Sequence, residues 1–96
     1  MSGLSPCDRT AVHLNYHGRV QGVGFRYSTR NISRQFCVHG FVRNLTDGTV
    51  ELVAQGESQE LEAFLTAITT QFGNHISSVT RKMIACDPNR SGFTIL

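Results

Sequence analysis

The feature that most constrains this chain is a change of hydrophobic period across the stretch Gly18-Arg19-Val20-Gln21-Gly22-Val23-Gly24-Phe25-Arg26. Before it, Val12, Leu14 and Tyr16 alternate with His13, Asn15 and His17, which is the period-two pattern of a strand with one buried face. After it, Phe25, Ser28, Ile32 and Phe36 recur at helical spacing. A strand must therefore become a helix through Gly18, Gly22 and Gly24. Glycines lack the Cβ atoms that keep backbone N–H groups from turning toward a ligand, and a helix start adds unpaired donors and partial positive charge. The stretch reads as an anion cradle. Arg26 stands at its mouth, with a planar guanidinium suited to two oxygens of one phosphate. Taken singly, a glycine-rich turn is also a plain tight connection and Arg26 a plain solvated residue, although the helix dipole disfavours a cation there. The nucleotide patterns fail: no Lys-Ser/Thr follows Gly24, and Tyr27 occupies the third glycine position of a dinucleotide fingerprint.

The remaining periods predict the rest of the architecture. The first strand runs from about Ala11 to His17 and the first helix from Phe25 to Cys37, weak in isolation and held by the stripe of Phe25, Ile32 and Phe36. A second strand follows over His39 to Thr46. Thr46-Asp47-Gly48-Thr49 then supplies an Asp-Gly hairpin turn into a third strand over Val50 to Gln55. On the second strand Phe41 and Arg43 share one face and Val42 and Asn44 the other, so Arg43 and Asn44 point opposite ways. Ser58 is the expected cap of a helix whose Leu61, Phe64, Leu65, Ile68 and Phe72 follow the helical period, with Gly73 as its C′ residue. Ser77 to Cys86 reads as a fourth strand, Asp87 to Gly92 as a turn-rich loop, and Phe93 to Leu96 as a short last strand. The order β-α-β-β-α-β plus a terminal strand predicts an α+β, ferredoxin-like sandwich, with two helices on one face of an antiparallel sheet. Fold alone does not decide function, because this layout serves several.

At 96 residues the chain is one domain, with residues 1–10 expected to be a flexible tail and residues 11–96 the folded unit. A hydrophobic content of 40% excludes a disordered tail protein, and a net charge of +2 is thinner than the basic face of most nucleic-acid binders. Cys7, Cys37 and Cys86 are an odd set without a close pair, which suggests neither a disulfide framework nor a zinc site and fits a reducing, cytoplasmic setting. Cys37 and Cys86 are expected as small core or strand-end residues. His13 and His17, on the other face of the first strand, read as exposed or locally bonded rather than as metal ligands. No apolar run approaches the roughly 20 residues of a membrane span, and none marks a secretory signal.

The glycine stretch, together with Gly40-Phe41-Val42-Arg43-Asn44 and Asp47-Gly48-Thr49-Val50-Glu51, resembles the acylphosphatase family. The likeness extends from about Val12 to Ile95, with departures at Phe41, around Phe36 and Cys37, and near Leu96. It implies a small, monomeric, cofactor-free and metal-free cytoplasmic enzyme that splits the carboxyl–phosphate bond of acyl phosphates, with inorganic phosphate as product and inhibitor. It also implies that Arg26 binds the phosphate, that Asn44 orients the attacking water, and that loop amides from Val20, Gln21, Gly22, Val23, Gly24 and Phe25 complete the cradle.

The chemistry agrees with that set. The departing carboxylate has a reference pKa of about 4, so no strong general acid is needed. The residual task is to hold the phosphoryl group and place a water in line. The competing reading is a non-catalytic ferredoxin-like module for RNA or an anion, but Tyr16 and Phe41 do not make the paired aromatic run of an RNA-binding sheet. A likeness to the acylphosphatase-like domain of hydrogenase-maturation carbamoyltransferases would imply a much longer chain.

Overall fold

Val12, Leu14 and Tyr16 are all buried, and the strand that carries them is interior to the sheet, paired on both sides. The structure, a computed structural model, describes residues 9–96. Its elements are β1 (Arg9–Gly18), α1 (Phe25–Ser33), β2 (Val38–Asn44), β3 (Val50–Glu57), α2 (Ser58–Phe72), β4 (Ile76–Ile84) and β5 (Phe93–Ile95). The sheet order is β4-β1-β3-β2-β5, the ferredoxin-like arrangement expected from the alternation of periods. The tail expectation falls largely on residues 1–8, outside the described residues; Arg9 and Thr10 belong to β1 and pair with Glu57 and Gly56 of β3.

Four strands pair antiparallel, whereas β5 adds to the outer edge of β2 in parallel, so the sheet is mixed rather than purely antiparallel. The reason lies in the loop after β4, which must carry the chain from one edge of the sheet to the other. Gln55, buried on the face away from the helices, holds that loop: its Nε2 donates to Asp87 O at 2.9 Å and its Oε1 accepts from Asp87 N–H at 3.0 Å. Gly40 N–H then donates to Gly92 O at 2.9 Å and steers the last strand onto β2.

Register places Arg81, Leu14, Leu52, Val42 and Ile95 in one row across the sheet. Paired residues point to the same side, so this row marks the helix-facing surface. Leu61, Phe64, Leu65, Ile68 and Phe72 of α2 are all buried over it, as their spacing requires. The helix ends depart from expectation. Ser58 opens α2 as a helical residue and bonds Thr10 Oγ1 at 2.9 Å, while Glu57 takes the N-cap position without a side-chain cap. Gly73 is right-handed, not a left-handed C′ residue. Helix α1 stops at Ser33, short of Cys37, where the N–H groups of Arg34, Gln35 and Phe36 bond carbonyls three residues back in tight single turns. Phe36 nonetheless packs on Phe64, with ring centroids 6.2 Å apart. Cys37 and Cys86 are exposed rather than core residues, because each lies just beyond the paired part of its strand.

The sheet's other face is polar. Glu51 there receives His13 Nε2 at 2.8 Å and Arg43 Nε, so His13 is a locally bonded histidine and Arg43 is turned away from the helices. Burial alone would raise the Glu51 pKa, but the hydrogen bonds from His13 and Arg43 outweigh it and hold the carboxyl below its ordinary range. A depressed carboxyl stabilises the fold fully above its unfolded pKa of about 4.3 and loses that contribution as pH falls through the folded value. Urea midpoints will therefore fall on acidification below about pH 4, and Glu51→Gln will make that fall shallower; an unchanged acid slope would refute the coupling. Phe64→Ala, which empties the centre of the core, will lower stability by about 3–5 kcal/mol in the same assay, with little change in the denaturant slope.

Candidate active site

Strands β1 and β2 both run antiparallel to β3 and hence parallel to each other, so their C-terminal ends lie at the same edge of the sheet. The glycine loop leaves the end of β1, and Asn44 is the last residue of β2. Register puts Tyr16, Val50 and Asn44 in one cross-strand row on the helix-facing side. Two strand spacings separate the first from the last, roughly 10 Å. Val42, two residues before Asn44 and fully buried, confirms which side that is.

The loop is anchored at both ends and tied in its middle. At the start the register of β1 against β4 shifts between His17 and Gly18, and Arg19 N–H donates to His75 O at 2.8 Å. Gly18 has φ 122°, and a Cβ there would stand 2.3 Å from His75 O, so only glycine fits this exit. Val20 is buried in the core, and Phe25, the first residue of α1, packs between Tyr16 at 5.0 Å and Phe72 at 4.8 Å. Between these anchors the Gln21 amide donates to Leu45 O at 2.8 Å and to Thr49 O at 2.9 Å. Thr49 in turn gives its N–H and hydroxyl to Asp47 Oδ1 and receives Asn15 Nδ2. Hydrogen bonds from the Thr49 side chain and backbone draw the Asp47 pKa down, which keeps this acceptor ionised. The latch fastens the loop to the hairpin that begins where Asn44 ends.

Gly22 and Gly24 both have φ 80°, a left-handed conformation that costs other residues about 1–2 kcal/mol. A Cβ at either would meet nothing within 4 Å, so conformation rather than space demands glycine there. Gly24 is the N-cap of α1 and, lacking a side chain, leaves the helix's first N–H groups uncapped; the first turn holds no acidic residue. These donors and Arg26 give the loop a positive, donor-rich mouth.

A cavity of about 190 Å³ opens at this mouth, lined by Val20, Gly22, Gly24, Phe25, Arg26, Tyr27, Asn44 and Ile95. It brings together Arg26, Asn44 and most of the expected loop. Gln21 and Val23 are not in its lining: the Gln21 side chain is spent on the hairpin, and Val23 is exposed. Among the described residues Arg26 makes no ion pair and no side-chain hydrogen bond, unlike Arg43 on the other face and Arg81, whose guanidinium holds Glu62. Asn44 Oδ1 is buried with no hydrogen-bond partner in the protein, an arrangement that costs about 1–3 kcal/mol unless a ligand supplies a donor. A free cation and a free acceptor thus face one small cavity. A larger hollow of about 480 Å³ between α2 and β4 has no such convergence, since its one cation, Arg81, is already paired. Among the described residues no group of three or more His, Cys, Asp or Glu side chains comes together, and no helix is long and apolar enough to cross a membrane.

Sequence reasoning missed three contributors. The Gln21 latch depends on a hairpin more than twenty residues away in the chain. Ile95 reaches the cavity only because β5 pairs with β2, and nothing in its own neighbourhood signals that. Tyr27 was detectable, as a large apolar residue in the first turn after Arg26, but the helical stripe points away from it.

The family model described as acylphosphatase matches residues 12–95. The acylphosphatase of Lactobacillus johnsonii is 39% identical over 85 residues, 86% of this chain and 90% of that protein. The acylphosphatase of Thermococcus kodakarensis is 53% identical over 57 residues, 59% of this chain and 63% of that protein. In four of the curated relatives the matched stretch spans 62 to 65% of the protein's length. Among solved structures, that of the acylphosphatase from Bacillus subtilis superposes with a TM-score of 0.80 at 27% identity, covering 91% of this chain and 98% of that one. On a family model that spans residues 12–95 and a relative 39% identical over 86% of this chain, the chain belongs to the acylphosphatase family.

Proposed function

We propose that this chain hydrolyses acyl phosphates to a carboxylate and inorganic phosphate, with Arg26 and Asn44 as its catalytic residues. The observation that carries the reading is the single cavity in which an unpaired arginine, uncapped helix N–H groups and an unpartnered asparagine oxygen converge. The curated relatives that carry the name acylphosphatase support it.

The phosphoryl group sits on the loop from Val20 to Phe25, its equatorial oxygens taken by backbone N–H groups and by the Arg26 guanidinium. These donors are oriented before the substrate arrives, so they stabilise developing charge without reorganising during the reaction. Asn44 accepts a hydrogen bond from water through Oδ1 and donates to a phosphoryl oxygen through Nδ2, which aims the nucleophile without acting as a base. The bond from water oxygen to phosphorus forms as the phosphorus–acyl oxygen bond breaks, one proton of the water passes to a phosphoryl oxygen of the product phosphate, and the carboxylate leaves unprotonated because its conjugate acid has a pKa of about 4. Arg26 and the amides supply the positive field that a metal supplies elsewhere, so the proposal is a metal-free and cofactor-free reaction. Inorganic phosphate, which presents the same oxygens, is proposed as product and competitive inhibitor. The proposed enzyme is a monomer, and its proposed reducing, cytoplasmic setting agrees with the free, exposed thiols of Cys37 and Cys86.

Hydrolysis of benzoyl phosphate in the presence of a chelator tests this reading directly. The parent is expected to stay active under chelation; loss of activity there would refute the metal-free route. Arg26→Ala will remove phosphate inhibition and lower kcat/KM by about 10³-fold or more. Asn44→Ala will cut kcat by about 10²-fold while phosphate inhibition persists, because positioning of the water is lost and phosphate binding is not. Full activity in either variant refutes its assigned role. Gln21→Ala, which unties the loop from the hairpin, will lower stability by about 1–3 kcal/mol and weaken phosphate inhibition. Unaltered inhibition in that variant would show that the latch does not shape the cradle.

A further inference from the structure

The cavity is lined by polar and apolar groups together, and the phosphoryl chemistry uses only the loop, Arg26 and Asn44. Tyr27 and Ile95 also line it and have no part in that chemistry. Tyr27 follows Arg26 in the first turn of α1 and is 60% exposed. The large apolar residues exposed among those described are Val23, Tyr27, Val79, Met83 and Leu96. Val79 and Met83 belong to β4 at one edge of the sheet, whereas Val23, Tyr27 and Leu96 belong to the loop, to α1 and to the residue after β5, around the cavity mouth. Leu96 is held there by its N–H donating to Val42 O at 2.9 Å. Ile95 pairs with Val42, so it stands on the strand beside Asn44 and on the same face. The Arg30 guanidinium lies 5.6 Å from the Tyr27 ring centroid, a cation–π contact that steadies the ring. Among the described residues no Asp or Glu lines the cavity. At about 190 Å³ it is smaller than the roughly 300–1,000 Å³ of most ligand pockets, so it encloses the head of a substrate and leaves the rest on the rim.

We infer that Tyr27 and Ile95 form an acyl subsite that selects acyl phosphates carrying an extended, uncharged apolar acyl group. The inference rests on the reading of Arg26 and Asn44 as the phosphoryl-handling pair and adds the identity of the leaving half. The phosphoryl group occupies the loop, the carbonyl points out of the cavity, and the chain beyond it lies along the Tyr27 ring and the Ile95 side chain. Burial of each methylene against Tyr27 and Ile95 favours longer chains, whereas a terminal carboxylate laid along the same apolar side chains would lose hydration.

Acetyl, hexanoyl and adipoyl monophosphates separate the possibilities, because their leaving carboxylates are of similar basicity and they differ in what they place on the rim. The parent is expected to show a kcat/KM for hexanoyl phosphate at least about ten-fold above those for acetyl and adipoyl phosphate. Tyr27→Ala will collapse the hexanoyl-to-acetyl ratio toward unity, and Tyr27→Phe, which keeps the ring, will retain it. A parent that hydrolyses all three alike with phosphate inhibition intact overturns the subsite and leaves the phosphoryl site standing. Equal losses on acetyl and hexanoyl phosphate in Tyr27→Ala, or a preference for adipoyl phosphate, overturn it as well. A parent that hydrolyses none of the three overturns both readings together.

Discussion

Phe25 is the contact on which the site depends. It is the last residue of the glycine stretch and the first of α1, and it lies between Tyr16 of β1 and Phe72 of α2. Each aromatic pair contributes about 0.5–1.5 kcal/mol beyond the area it buries. Their greater effect is geometric. By pinning the helix start to β1, Phe25 fixes where the uncapped N–H groups point and where Arg26 leaves the backbone. Val20 anchors the other side of the loop in the same core, so a segment of exposed glycines is suspended between two buried side chains.

That suspension explains how a small protein keeps several uncompensated polar groups together. A helix N-terminus with no cap and no acidic residue, a cation in the helix's first turn, and a buried amide oxygen without a partner are each mildly or clearly unfavourable. In 96 residues with a single modest core, such costs are a real share of total stability. The surrounding structure opposes these costs: the aromatic stack, the Gln21 latch and the Asp47–Thr49 turn hold the loop in this arrangement. On the proposed reading, a substrate anion at the mouth would supply a charge for Arg26 and acceptors for the N–H groups, and the water it is to meet would donate to Asn44.

The sheet also sorts charge. Glu51 gathers His13 and Arg43 on the outer face, and Glu62 holds Arg81 beside α2. Arg26 escapes this pairing because the loop lifts it away from every carboxylate among the described residues. Adjacent residues on one strand thus take opposite parts, Arg43 neutralised on one face and Asn44 left open on the other, solely through the alternation of side chains along β2.

Much of this was legible in the order of residues. The period change around Gly18, the Asp-Gly hairpin and the apolar spacing of Leu61, Phe64, Leu65, Ile68 and Phe72 are local signals, and they set the element order, the helix-facing sides and the opposite directions of Arg43 and Asn44. The family likeness of the glycine stretch and of Gly40 to Asn44 named the candidate pair. Helix ends were less legible: Ser58 did not become a cap, and α1 stopped at Ser33, because the ends are set by what the neighbouring elements allow rather than by propensity. Only the tertiary structure brought Asn44, Ile95 and the Gln21 latch to the mouth of the loop, ran β5 parallel to β2, and left Cys37 and Cys86 in solvent. The physical reason is that a residue's periodicity records which of its faces is apolar, whereas the neighbour it meets is decided by strand pairing between segments far apart in the chain.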